Sequence, residues 1–187
     1  MYELDLATFY FINRTTTNPL FDVLMPFVTG HLFYFVYAIL IGLLLWFGKK
    51  RALICVGLLV ITVGTSDSVN SRVLKEVVGR VRPCSALKDA RLLVGCGGGK
   101  SFPSTHATNN FAAAVLIGYF FKKTWPYGLG IAAIVAYSRV YVGVHYPADV
   151  LGGALVGVCF ALFVIQFYRL GVWWVERRRL LKAGNIV

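Results

Sequence analysis

The sequence predicts an all-α membrane protein, a bundle of about five transmembrane helices preceded by an N-terminal interfacial helix. Three observations lead there. Of the 187 residues, 58% are hydrophobic and 14% charged, with a mean hydropathy of +0.69, far from the balance of a soluble domain. Several stretches are apolar over nearly the ~20 residues that cross a hydrocarbon core. The Lys and Arg residues gather in clusters between those stretches.

Residues 1–13 mix Leu4, Leu6, Phe9, Tyr10 and Ile12 with Glu3 and Asp5. That composition suits a helix lying in the membrane interface, and equally a segment that caps the bundle. The first span is expected from about Leu32 to Phe47 and the second from Ala52 to Val69. The third covers Ala107 to Phe121, the fourth Tyr127 to Val140 and the fifth Ala148 to Trp174. Several are short, so tilt or local thinning of the bilayer is expected. No linker, low-complexity tract or fixed repeat interrupts them, and residues 1–187 read as a single integral membrane domain. The first Lys or Arg is Arg14, so no charged leader marks a cleavable signal peptide.

Between the second and third spans lies a polar block, Arg72 to Pro103, holding seven of the nineteen Lys and Arg residues. Loops of that length inside compact domains are usually functional. Helix parity puts this block on the same side as the segment from Ser138 to Asp149. The other side receives Lys49, Lys50 and Arg51, then Lys122 and Lys123, then Arg177, Arg178, Arg179 and Lys182. Short basic loops mark the cytoplasm, so the polar segments are expected to face the periplasm or exterior of a bacterial inner membrane. Cys84 and Cys96 fall in the polar block, where an oxidising compartment allows a disulfide; two free thiols are the alternative. Cys55 and Cys159 sit in spans and read as small buried hydrophobes. The net charge of +11 does not point to nucleic acid, because no soluble face of interleaved basic and aromatic residues exists to carry it. The partners expected are the bilayer and a membrane lipid, and the sequence carries no signal for oligomeric state.

Three strings place charge or His beside membrane-like sequence, where ionisable groups are expensive and functional by default. In KEVVGRVRP, Lys75, Gly79 and Arg82 fall at i, i+4 and i+7, so a helix would stack the two cations on one face before Pro83 ends it. Arg80 points elsewhere, as a surface or headgroup contact. In FPSTH, Ser104 is placed to cap a helix whose first turn holds Thr105 and His106, a site suited to a phosphate. In SRVYVGVHYPAD, Pro147 fits the first helical position, which puts Asp149 within reach of His145. A carboxylate bonded to one imidazole nitrogen presents the other as base or nucleophile. For each string alone, snorkelling bases or an ordinary helix cap is the plain alternative. A metal held by His106, His145, Asp149 and Asp67 is disfavoured by two Arg and a Lys nearby, so no metal or other cofactor is expected. Asp67, Ser66, Ser68 and Asn70 instead read as a polar seam that holds Lys75.

Together the strings resemble the signature of the type 2 phosphatidic acid phosphatase family of membrane lipid phosphatases. Lys75, Arg82 and Pro83 match its first motif, Pro103, Ser104 and His106 its second, and Ser138, Arg139, His145 and Asp149 its third. Thr105 departs from the usual Gly; a β-branched residue avoids positive φ, so its backbone should be helical. The resemblance implies a helical bundle also used by vanadium haloperoxidases. It implies metal-independent hydrolysis through a phosphohistidine, with His145 as nucleophile, Asp149 stabilising the imidazolium and His106 protonating the leaving oxygen. Lys75, Arg82, Ser104, the Thr105 N–H and Arg139 would hold the phosphoryl oxygens. Candidate substrates are lipid A 1-phosphate, which we favour, undecaprenyl diphosphate, phosphatidylglycerophosphate and phosphatidic acid. A non-catalytic lipid-phosphate binder or transporter is the contrasting class.

Overall fold

The computed structural model describes residues 2–182, and every regular element among them is helical. Helix α1 (Tyr2–Tyr10) runs through a wide turn into a short loop, and α2 (Pro19–Thr29) follows. Asn18 starts α2 by accepting the Phe21 N–H at 2.9 Å, with Pro19 pre-set at the first position. Helix α3 (Phe33–Val69) holds both the first and the second expected span. They are joined only by a break at Lys49, whose φ is 49°. Then come the one-turn helices α4 (Lys75–Val78) and α5 (Pro83–Ala86), and the long helices α6 (Thr105–Phe120), α7 (Trp125–Tyr141) and α8 (Pro147–Lys182). The third, fourth and fifth expected spans fall on these last three.

Helix α6 lies against α3, α7 and α8. Small residues make that close approach possible: Ala107, Ala112 and Ala114 on α6 are buried, and Gly153 and Gly157 of α8 abut the backbone of Ser104 and Thr108. One apolar cluster joins Cys55, Leu116, Ala161 and Ile165; a second, nearer the polar end, joins Phe9, Ala107, Val140 and Tyr146. Outward-facing Phe35, Trp46, Val60, Leu155 and Phe163 stay exposed, as a lipid-facing surface requires. Cys159 is among the outward-facing side chains, so the expectation that it is buried is corrected, whereas Cys55 is buried. A residue in a span is enclosed only when its helical face meets another helix.

At one end of the bundle the block from Asn70 to Ser104 meets the α7–α8 turn, while at the other Arg51 lies over the Phe121 ring at 5.5 Å. Cys84 and Cys96 are disulfide-bonded with Cα atoms 5.9 Å apart. The N-terminal segment caps the polar end. Phe9 is buried against Tyr146, and the Asn13 amide spans the gap, donating to the carbonyls of Arg91 and Tyr141 at 2.8 Å each. Helix α1 still leaves Tyr2 and Leu4 exposed, an apolar edge compatible with the interface.

Candidate active site

The site is built around the turn into α8. Gly143, at φ 88°, reverses the chain after α7, and the amides of Val144 and His145 return to the Arg139 carbonyl at 3.2 and 3.3 Å. Pro147 begins α8, which makes Asp149 its third residue. From there the carboxylate reaches back to accept the Tyr146 N–H at 2.8 Å, the reciprocal half of a capping box. The same oxygen, Oδ2, lies 3.5 Å from His145 Nδ1, so capping the helix and facing the histidine are one arrangement. Asp149 is fully buried and His145 is 2% exposed. The Nδ1–H therefore points at the carboxylate and the Nε2 lone pair points into the cavity, where Arg82 Nη1 stands 3.3 Å away. Burial pushes the His145 imidazole down to about 4, against the upward pull of Asp149 and with a further downward push from Arg139 and Arg82.

A cavity of about 730 Å³ opens in front of Nε2, lined at its polar end by Lys75, Arg82, Thr105, His106, Arg139 and His145. Arg82 Nε, Arg139 Nε and the Ser104 hydroxyl are buried with no partner. Buried donors of this kind are normally satisfied, and here they suit the oxygens of an anion. Ser104 precedes the first turn of α6, but its side chain makes no capping bond, so the expected N-cap holds in position and not in hydrogen bonding. Its own N–H donates to the Asp149 carbonyl at 2.9 Å, tying α6 to α8. Thr105 is helical, in keeping with its β-branch, and the first-turn amides of α6 lack helical partners.

Four further expectations are corrected. Lys75 and Arg82 do not share a helical face: α4 stops at Gly79, whose φ is 65°, and Arg82 is extended ahead of α5. Pro83 starts a helix there instead of ending one, because its fixed φ suits a first position and pushes the preceding residue out of the helical region. Arg80 is not a surface contact. It donates to Asp149 Oδ1 at 2.9 Å, pairs with Asp5 and lies 4.0 Å above the Tyr146 ring. The polar seam does form, but it runs to α6 and not to Lys75. Asn70 Nδ2 donates to Thr108 Oγ1 at 2.9 Å, and Asn109 Nδ2 to Asp67 Oδ1 at 3.2 Å.

The sequence reading missed Ser101, whose hydroxyl bonds Asp149 and lies 3.3 Å from His145 Nδ1, and Thr29, which accepts from Arg139. Neither carries a spacing signal. Asp5 was visible only as an acid in an apolar helix. Among the described residues no three His, Cys, Asp or Glu side chains gather as a metal group.

Comparison with known proteins gives the family and the fold. Residues 51–173 match the model of the PAP2 superfamily. A lipid A 4'-phosphatase of Bacteroides thetaiotaomicron is 32% identical over 83% of this chain and 72% of its own length. A bacitracin transport permease protein, BcrC, of Bacillus licheniformis is 31% identical over 87% and 79%. Among solved structures, LpxE of Aquifex aeolicus superposes with a TM-score of 0.72 at 26% identity, covering 87% of this chain and 95% of that one. A transmembrane PAP2-type phosphatidylglycerolphosphate phosphatase of Bacillus subtilis gives 0.69 at 27%, covering 90% and 86%.

Proposed function

Because this chain belongs to the PAP2 superfamily, whose members include membrane lipid phosphatases, we propose that it hydrolyses a lipid phosphate at the periplasmic face of a bacterial inner membrane through a phosphohistidine on His145. The observation that carries this reading is the buried His145–Asp149 pair, with Nε2 facing a cavity lined by Lys75, Arg82 and Arg139, where the Nε donors of both arginines have no partner.

In the first step the Nε2 lone pair attacks phosphorus while the bond from phosphorus to the lipid oxygen breaks. Asp149 balances the charge that appears on the imidazole, and His106 delivers a proton to the departing oxygen. Lys75, Arg82, Arg139, the Ser104 hydroxyl and the Thr105 N–H hold the three phosphoryl oxygens as charge spreads over them. Water then attacks phosphorus, giving its proton back to His106 while the P–N bond breaks and phosphate leaves. A cation-lined pocket repels a metal ion, and no step needs one.

Beyond the cations the same cavity continues between the first half of α3, α6 and α7, past Tyr37, Leu40, Leu44, Ile117 and Ile131. This apolar extension supports a lipid tail entering sideways from the bilayer with its phosphate at the polar end. Lipid A 1-phosphate is the substrate we favour. Support for lipid A comes from a relative named for it, which is named for the 4' position. Release of phosphate from lipid A 1-phosphate, lipid A 4'-phosphate, undecaprenyl diphosphate and phosphatidylglycerophosphate would rank the candidates.

The relative named as a transport permease favours a second reading, a binder or transporter of lipid phosphate. One assay separates the two. The wild type should release phosphate from at least one lipid of the panel, and His145→Ala should lose about a thousand-fold or more. Equal release by both proteins would overturn the histidine mechanism, and lipid binding by the wild type without release would favour the second reading.

A further inference from the structure

Asp149 has more partners than a carboxylate that serves one histidine needs. Oδ2 takes the Ser101 hydroxyl and the Tyr146 N–H and faces His145 Nδ1, while Oδ1 takes Arg80 Nη1 at 2.9 Å. The guanidinium of Arg80 is largely buried, lies 4.0 Å above the Tyr146 ring and turns its other end, Nη2, to Asp5. Asp5 comes from α1, 75 residues from Arg80 in sequence. Its Oδ1 also accepts the Ala148 N–H at 2.7 Å, one of the free amides at the start of α8.

We propose that Asp5 and Arg80 are positioning residues for the hydrolysis. Arg80 draws charge from Asp149, Asp5 draws charge from Arg80, and the balance sets how strongly Asp149 supports a proton or a phosphoryl group on His145. A carboxylate shared with an arginine is a weaker partner for an imidazole, and an arginine shared with a second carboxylate competes less. The chain Asp5–Arg80–Asp149–His145 alternates in sign, so Asp5 and Arg80 act on the histidine in opposite senses. The other groups facing His145 are Arg82 ahead of α5, Arg139 on α7, Lys75 on α4 and His106 on α6. These are untouched by changes at Asp5 or Arg80. This inference rests on His145 being the nucleophile, which the alanine variant tests separately.

The test is the acid limb of kcat/KM against pH for wild type, Arg80→Gln, Arg80→Lys and Asp5→Asn, each checked for a cooperative thermal unfolding transition. Removing the Arg80 charge frees Asp149 from its only cationic hydrogen-bond partner, and the limb should move up by about half a unit to one unit. Asp5→Asn keeps an acceptor for the Ala148 N–H but sends Arg80 wholly to Asp149, so the limb should move down by a similar amount, with kcat falling about ten-fold. Arg80→Lys should return the limb to its wild-type position. A merely structural role would lower activity without separating the limbs. Shifts in the same direction, or no shift in folded variants, would overturn the proposal. If Arg80→Gln does not accumulate, a limb in Asp5→Asn that stays or rises has the same force. Loss of activity in His145→Ala together with unmoved limbs would sink the positioning role and leave the mechanism standing.

Discussion

At the scale of single residues, the two nitrogens of His145 face different surroundings. Nδ1 has Asp149 and Ser101, and Nε2 has the cavity and Arg82. Burial holds the ring at about 4, so at pH 7 it is neutral with a free lone pair. As pH falls, the ring is protonated only near that value and not near its ordinary 6.5. The acid limb of kcat/KM, which reports the free enzyme, should therefore lie below pH ~5, and a limb at or above 6.5 would contradict the buried neutral imidazole. These residues were largely legible in the sequence. Lys75, Arg82, His106, Arg139, His145 and Asp149 all stood out as ionisable groups beside apolar sequence, and all six gather at the polar end. Arg80 and Ser101 were not legible, since what matters about them is contact across distant segments. Arg80 was set aside because a helix was extended through Gly79, where the backbone in fact turns left-handed.

At the scale of elements, the contact of α6 with α8 holds Ser104 and the first turn of α6 beside Asp149. Its close point nearest the polar end is Gly153. A methyl group there would stand 2.5 Å from the Ser104 carbonyl oxygen and 3.1 Å from Ala107 Cβ. Gly153→Ala should cost about 1–3 kcal/mol by overpacking and also lower kcat/KM, because it displaces Ser104, one of the groups proposed to hold phosphate. Gly171, on the same helix with nothing within 4 Å, is the control: its alanine variant should unfold no earlier than the wild type. Thermal unfolding of both variants, with activity alongside, checks this. Helix positions were legible from apolar runs and caps. The connections were less so, because the expected loop between the first two spans is a single broken residue and the expected continuous helix from Lys75 to Arg82 is one turn that ends at Gly79, with Arg82 extended beyond it.

At the scale of the whole molecule, the two ends of the bundle differ in kind: one is tied and polar and holds the candidate site, the other carries short basic turns and the basic end of α8. If the site faces the periplasm, a membrane-impermeant thiol reagent should label a cysteine placed at exposed Lys88 in intact cells. It should label one at exposed Lys122 only after the membrane is opened, and the reverse pattern would invert the orientation. The break at Lys49 bears on this polarity. It sits at the basic end, while the first half of α3 runs about 24 Å from it towards the polar end. That half has the geometry of a lever arm pivoted far from the candidate site. A swing of about ten degrees at Lys49 would displace its tip by about 4 Å, close to half the usual spacing of packed helices. Such a swing would part the cavity wall most beside Tyr34 and Tyr37 and least beside the pivot.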